Sequence, residues 1–114
     1  MKDKNMRKPG SRDFEVNVEG VGRFVFGYRV MVDEARIQAE DARIVDGTTP
    51  TDWLHILAGW ISTLKVLTVE APEGWDIDEM DPLVDDEYAK LNKVFDALRA
   101  KESFFRRKPS APGP

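Results

Sequence analysis

The sequence of 114 residues contains no cysteine and a single histidine, His55. The chain can therefore form no disulfide, thiolate metal site or cysteine nucleophile, and it cannot build a zinc site from several imidazoles. No apolar run is long enough to span a bilayer, because polar residues interrupt the most hydrophobic stretch, residues 53–67. The basic N-terminus has no apolar segment after it, so we expect no secretory signal there.

The composition predicts one small domain with a modest core. Hydrophobic residues make up 41% of the chain and charged residues 33%, which allows a folded interior under a highly charged surface. The formal net charge is −4, whereas nucleic-acid binding favours a basic face. We therefore expect neither a nucleic-acid partner nor a membrane partner, and the absence of cysteine is compatible with a cytoplasmic location.

A β-hairpin is predicted near the N-terminus. Residues 14–18 alternate apolar and polar, a glycine-bearing turn follows at residues 19–22, and residues 23–28 form the returning strand. A hairpin of two strands is marginal by itself in water. We therefore expect its apolar face to lie on helices, and that face consists of Phe14, Val16, Val18, Phe24 and Phe26.

Three helices are predicted after the hairpin. The first covers residues 30–46. The second, apolar around most of its circumference, begins with Thr49 as N-cap and Pro50 at the first helical position. It weakens over residues 66–69, three of which are β-branched. The third covers residues 84–102, with acids in its first turn and bases in its last. The predicted class is α+β and mostly α, with an N-terminal β-hairpin followed by three helices.

The domain boundaries follow from composition. Residues 1–12 are basic and contain a Pro-Gly pair, which is typical of a disordered arm. Residues 106–114 are rich in proline and are predicted to be a disordered tail. Residues 13–105 between them are predicted to form the single domain, with Trp75 folded back onto its core.

One side of the second helix has two interpretations. His55, Gly59 and Ser62 are small or polar, unlike the broad apolar face opposite. They indicate either a close helix–helix crossing or, more simply, the wetter side of the helix.

The residues that might carry chemistry do not form a recognisable catalytic or metal-binding pattern. The acidic stretch of residues 76–87 has Asp81 where a calcium-binding EF-hand loop needs its sixth-position glycine. His55 and Ser62 lie two turns apart, too far for a hydrogen bond on a straight helix. We therefore predict no catalytic residue, no metal site, no cofactor and no enzymatic activity.

Candidate partner-binding residues lie on the first helix and at the frayed end after the third. Val30, Ile37 and Ile44 recur every seven residues beside a second apolar stripe, so one stripe can contact the domain's own core and the other a partner. The alternative is one wide core face flanked by acids. Phe104 and Phe105 precede basic residues and either pack on the core or contact a partner. The candidate partner-binding set is Val30, Ile37, Ile44, Phe104 and Phe105.

Two stretches of the sequence resemble a family of phage proteins. Residues 22–26 leading into residues 32–40 form the first stretch. The second consists of residues 52–54 with residues 58–60, followed by residues 64–76. Together they resemble tail assembly chaperones, or minor tail-assembly proteins, of long-tailed bacteriophages and prophages. The resemblance covers nearly all of the predicted domain and rests on no catalytic motif.

The resemblance implies a function without chemistry. Such chaperones bind the long, largely helical tape-measure protein, keep it soluble, help to recruit tail tube subunits and are absent from the finished particle. The expectation is therefore a homo-oligomeric tail assembly chaperone acting in the host cytoplasm. The alternative is a structural minor tail or head–tail component that is retained in the virion.

Overall fold

The computed structural model describes residues 7–49, 51–81 and 83–106. It confirms the predicted α+β class, with an N-terminal hairpin and then three helices. The elements in chain order are β1 (Phe14–Val18), β2 (Gly22–Phe26), α1 (Met31–Val45), α2 (Asp52–Leu67), β3 (Thr68–Glu70) and α3 (Asp85–Arg106).

The hairpin forms in the register that its alternation requires. Phe14 lies opposite Phe26 and Val16 opposite Phe24, so the apolar residues of both strands share one face. Gly20 in the connecting turn has a φ of 79°, a conformation that favours glycine.

A third strand, which the sequence analysis missed, completes the sheet. β3 pairs antiparallel with β2, giving the strand order β1-β2-β3. It follows α2 without a connecting loop. Thr68 and Val69, in the stretch of residues 66–69 predicted as a weak helix end, are the signal for this strand, because β-branched residues favour extended backbone.

The core lies between the sheet and the helices α2 and α3. Phe24, Phe26 and Leu67 are fully buried there, and the ring of Trp75 contacts Phe24 edge-on at a centroid distance of 5.0 Å, as predicted. The central cluster consists of Val16, Val18, Phe24, Phe26, Leu64, Leu67, Leu91, Val94 and Leu98.

The start of α2 differs from the prediction. Its N-cap is Thr51, whose hydroxyl oxygen accepts a hydrogen bond from the Leu54 amide at 3.1 Å, and not Thr49. Pro50, expected at the first helical position, lies outside the described residues. Thr49 and Thr51 both carry a hydroxyl that can accept a hydrogen bond from a free amide at a helix start. The sequence alone therefore did not decide which of the two threonines is the N-cap.

The side of α2 that carries His55, Gly59 and Ser62 is neither fully exposed to solvent nor a close helix–helix crossing. His55 is exposed, whereas Ser62 is fully buried and donates a hydrogen bond to the Ala58 carbonyl at 2.6 Å. A methyl group added at Gly59 would meet no atom within 4 Å. Gly59 therefore makes no close contact within the described structure that would require glycine.

The domain begins earlier than predicted. The Arg7 amide donates to the Thr68 carbonyl at 3.2 Å, and the Arg7 guanidinium forms a salt bridge with Asp33. Residues 7–12 therefore cannot be assigned to a separate arm, and the boundary at residue 13 is wrong. Residues 1–6 lie outside the described residues. At the other end, α3 continues to Arg106, and residues 107–114 of the predicted tail lie outside the described part.

Asp33 is a fully buried carboxylate at the start of α1. It accepts a hydrogen bond from the Val30 amide at 2.9 Å, which satisfies one free donor at the helix start. Burial alone raises the pKa of Asp33, but the hydrogen bonds from Arg7 and Val30 and the charges of Arg7 and Arg36 outweigh it, so the pKa lies below its ordinary value. The folded state therefore favours the ionised form.

The first prediction concerns Gly59. Gly59→Ala should increase the free energy of unfolding by about 0.5–1 kcal/mol, because alanine loses less backbone entropy in a helix interior and the added methyl meets open space. Urea unfolding monitored by circular dichroism measures the change. Ala39→Gly on the exposed face of α1 is the reverse control and should destabilise. A destabilised Gly59→Ala would show that close packing constrains the site.

The second prediction concerns pH. The folded pKa of Asp33 is depressed, so its stabilising contribution is complete at neutral pH and is lost as the pH falls below about 4. Asp33→Asn should cost about 2 kcal/mol at pH 7 because it removes the charge that Arg7 pairs with. The gap between the two proteins should narrow towards pH 3 in urea titrations. Asp96→Asn, at an exposed position, should follow the wild type. A gap independent of pH would contradict this role of Asp33.

Candidate functional site

Two surfaces with exposed or half-exposed apolar residues lie at opposite ends of the helices. The first, called the basic end, combines the start of α1 with the end of α3. Met31 is 88% exposed and Phe104 is 60% exposed. The basic end consists of Arg12, Tyr28, Arg29, Val30, Met31, Val32, Phe104, Phe105 and Arg106.

A buried ion pair holds the basic end together. Glu102 on α3 is 2% exposed, and both its carboxylate oxygens accept from the Arg29 guanidinium, at 2.8 and 2.9 Å. Arg99 donates to the same carboxylate at 2.7 Å, and Arg29 also donates to Glu34 on α1 at 2.7 Å. Although burial lowers the pKa of Arg29, hydrogen bonds and charges from Glu102 and Glu34 raise it above its ordinary value.

The pair fixes the end of α3 beside the segment that leads into α1. Arg106 strengthens this connection by donating to the Arg29 carbonyl at 2.9 Å. The four charges of Arg29, Arg99, Glu34 and Glu102 balance, so they add no net charge to the surface.

Two guanidinium groups next to one aromatic ring give the basic end its positive charge. The Tyr28 ring has Arg12 at 4.4 Å from its centroid and Arg106 at 4.3 Å. Cations at this distance from an aromatic ring are attracted by its negative faces. Within the described part of the chain, neither arginine forms a salt bridge, so both positive charges remain available at this end.

The second surface, called the acidic groove, lies between the end of α1, α2, the loop before α3 and the start of α3. Its volume is about 280 Å³, just below the roughly 300–1,000 Å³ typical of small-molecule sites. Its size suits side chains of a protein better than an organic cofactor. Its lining is Arg43, Ile44, Leu57, Ile61, Ile77, Asp78, Met80, Asp81, Glu87, Tyr88 and Leu91.

Some charged side chains near the groove neutralise one another in salt bridges, whereas two carboxylates have no salt bridge within the described structure. Lys65 bridges Asp78 at 3.0 Å and Glu40 at 3.2 Å, and Arg43 also pairs with Glu40, so these four charges cancel. Asp81 and Glu87 accept hydrogen bonds from backbone amides, at 2.9 Å from Leu83 and 2.8 Å from Asp81. Neither acid has a salt bridge among the residues that the structure describes, and the groove therefore keeps two negative charges.

The structure divides the candidate partner-binding residues among three places. Val30, Phe104 and Phe105 belong to the basic end, where Arg106 donates to the Arg29 carbonyl, and Ile44 lines the acidic groove. Ile37 is 5% exposed on α1, which packs against α2. The assignment of Ile37 to a partner-binding stripe is therefore wrong for this fold, because a seven-residue spacing looks the same whether it faces another chain or a neighbouring helix.

Phe105 belongs partly to each of its two predicted roles. Its ring contacts Phe14 edge-on at 4.9 Å and lies 6.5 Å from Tyr28, yet 41% of the residue is exposed. It therefore supports the hairpin and contributes to the surface. Phe104 lies beside it at 6.1 Å and is more exposed.

Sequence reasoning missed the residues that build the basic end. Arg29, Tyr28 and Glu102 gave no periodic or motif signal, because their contacts join residues more than 70 positions apart in the chain. The adjacent pair Phe104 and Phe105 was the usable sign of an apolar surface.

A third, wider cleft of about 830 Å³ lies beside the N-terminal segment. Its walls include Arg7, Arg36, Lys65, Glu40 and Asp78. Lys65 forms salt bridges with Glu40 and Asp78, and both arginines form salt bridges with the buried Asp33. Among the described residues, there is no group of three or more histidine, cysteine or carboxylate side chains arranged to hold a metal ion.

No helix among the described residues is both long and apolar enough to cross a membrane.

Comparison with known proteins identifies no relative of this chain. No family model, no curated protein and no solved structure matches this chain.

Proposed function

We propose that this chain is a phage tail assembly chaperone that binds a helical segment of the tape-measure protein in the host cytoplasm and catalyses no reaction. The resemblance of two stretches to that family motivates the assignment: residues 22–26 with 32–40, and residues 52–54 and 58–60 with 64–76. The observation that carries it is the basic end, where large apolar side chains stand in solvent.

Exposing large apolar side chains to water costs free energy. Met31, Val32 and Phe104 are each more than half exposed, the first two at the start of α1 and the third near the end of α3, and a hydrogen bond from Arg106 to the Arg29 carbonyl joins these two helix ends. Contiguous exposed apolar side chains commonly mark protein-interaction sites. An amphipathic helix can cover them with residues spaced three or four apart, and this is how helical segments dock on apolar surfaces.

The surrounding charge favours a client helix with acidic residues beside its apolar stripe. Arg12 and Arg106 flank Tyr28 and keep their charges unpaired within the described structure. Opposite charges at the edge of an interface accelerate association and suppress wrong partners more than they raise affinity. Tail tube subunits are a second class of partner under the same proposal.

The third prediction tests client binding. In co-expression with the phage tape-measure protein, Met31→Asp and Phe104→Asp should reduce the co-purified client by about tenfold, as loss of a central interface contact does. Aspartate is suited to the first turn of α1, so Met31→Asp should fold. Pull-down followed by quantitative mass spectrometry measures the ratio of client to chain.

Gln38→Asp is the matched control, since it makes the same charge change at an exposed position on the same helix outside the basic end. It should capture the client as the wild type does. Equal capture by all variants, or no capture by the wild type, would contradict the proposal. Mass spectrometry of purified virions separates the alternative, because a chaperone should be absent from particles and a structural tail component present.

A further inference from the structure

The N-terminal segment of residues 7–12 reaches the basic end without belonging to a helix or a strand. At its start, the Arg7 amide donates to the Thr68 carbonyl on β3 at 3.2 Å. At its end, the Arg12 guanidinium lies 4.4 Å from the centroid of the Tyr28 ring. The segment therefore connects a hydrogen bond at the sheet to one of the two uncompensated positive charges of the basic end.

Gly27 makes room for the side chain of Arg7. A Cβ atom at Gly27 would lie 2.7 Å from both Cδ and Cζ of Arg7, closer than real Cβ atoms approach other atoms. The φ of Gly27 is not positive, so the backbone itself does not require glycine. The Gly27 amide also donates to the Leu67 carbonyl at 2.8 Å, which holds its backbone in place. A methyl group added here would therefore displace the arginine.

The Arg7 side chain passes Gly27 to form a salt bridge with Asp33, whose carboxylate is fully buried. The other cation near this carboxylate is Arg36, at 3.8 Å on a side chain that is 66% exposed. Arg7 is thus the main compensation for a charge held away from water, and removing it would be costly. The salt bridge anchors the start of the N-terminal segment.

The path from Arg7 to Arg12 is short and restricted. Pro9 fixes one φ angle, and the Gly10 amide donates to the Asp13 carboxylate at 2.7 Å around a turn at residues 11–12. Because Gly27 and Tyr28 are adjacent in the chain, the two arginines bind neighbouring residues of the same stretch. Fixing the first arginine therefore limits where the second can go.

We propose that Arg7 is a positioning residue for the basic end: its insertion beside Gly27 fixes residues 7–12 and holds the charge of Arg12 over Tyr28, where it selects client helices with acidic flanks. The selection rests on the proposed function, since it concerns the same surface. Without the anchor, the apolar side chains and Arg106 remain, but the charge of Arg12 is no longer fixed beside them. Discrimination between differently charged clients then falls, because charges at the rim of an interface act mainly on specificity.

The fourth prediction tests the anchor on the full chain without client. Cleavage by trypsin after Arg12 requires the segment to leave the surface, so its rate reports local opening. Arg7→Ala and Gly27→Ala should each raise this rate by about tenfold, because each removes the anchor. The double variant should be cut no faster than Arg7→Ala, since the three atoms nearest to the added methyl all belong to Arg7. Mass spectrometry of the fragment that begins at Asp13 measures the rates.

Gly59→Ala is the matched control, because it makes the same chemical change where the methyl group meets open space. It should be cut as the wild type is, and melting temperatures should show that all variants are folded. Gly27→Ala leaves every charge in place, so it tests the anchor even if Arg7→Ala destabilises the fold. Cleavage of Gly27→Ala at the wild-type rate, or additive acceleration in the double variant, would overturn the anchor.

The selection by Arg12 is measured with two designed amphipathic helical peptides as probes. Both carry the same stripe of leucines three and four residues apart, flanked by glutamates in one peptide and by lysines in the other. In binding titrations at low salt, the wild type should prefer the glutamate peptide by about tenfold. Arg12→Ala and Gly27→Ala should each reduce this ratio about threefold, and the two changes combined should reduce it no further.

Lys8→Ala is the charge control, since it removes an exposed cation from the same segment but leaves the anchor, and it should retain the wild-type ratio. A wild type that does not discriminate between the peptides, or an unchanged ratio in Gly27→Ala, would reject the positioning role of Arg7. Failure of the wild type to capture the tape-measure protein, with the peptide ratio intact, would instead reject the proposed client and leave this role standing.

Discussion

The buried carboxylate of Glu102 is the constraint on which the arrangement of the helices' ends depends. A charge so far from water is tolerated when cations and hydrogen bonds compensate it, and Arg29 and Arg99 supply both. Because Arg29 lies on the segment between β2 and α1, satisfying Glu102 places the end of α3 beside the start of α1. Removing Arg29 would leave the buried Glu102 carboxylate with Arg99 as the remaining cation that contacts it in the described structure and without its two hydrogen bonds to Arg29, so separating the two segments costs free energy.

The fold determines which charged side chains are neutralised by a neighbour and which keep an uncompensated charge. At both ends of the helices, neighbouring acids and bases neutralise each other in sets of four, with Arg29 central at one end and Lys65 central at the other. The charges left over are positive beside Tyr28 and negative around the groove. A protein of modest net charge therefore has two oppositely charged ends, a property that its total of −4 conceals. Burying the apolar side chains at these ends against another molecule would be favourable, because it removes apolar surface from water.

Features set by residues close together in the sequence could be predicted, whereas features that depend on distant residues could not. The hairpin was predicted correctly because alternation and a glycine turn act over a dozen residues, and the three helices because their periodicity is local. β3 was missed because three residues carry too little pattern, and only β2 supplies the hydrogen bonds that make them a strand. Ile37 was misassigned because burial against a neighbouring helix leaves no mark in the spacing of one helix.

By itself the sequence determined the type and order of the main elements, the apolar face of the hairpin and the acid-rich loop before α3. It also indicated Phe104 and Phe105 as a surface of interest, since two aromatic residues beside basic ones are unusual at a helix end. Tertiary structure alone decided that Val30 joins them, that Ile44 lies in a separate groove and that Arg7 belongs to the domain. The physical reason is that local backbone preferences act between near neighbours in the chain. The pairing of buried charges and the sharing of apolar surface act between groups that only folding brings together.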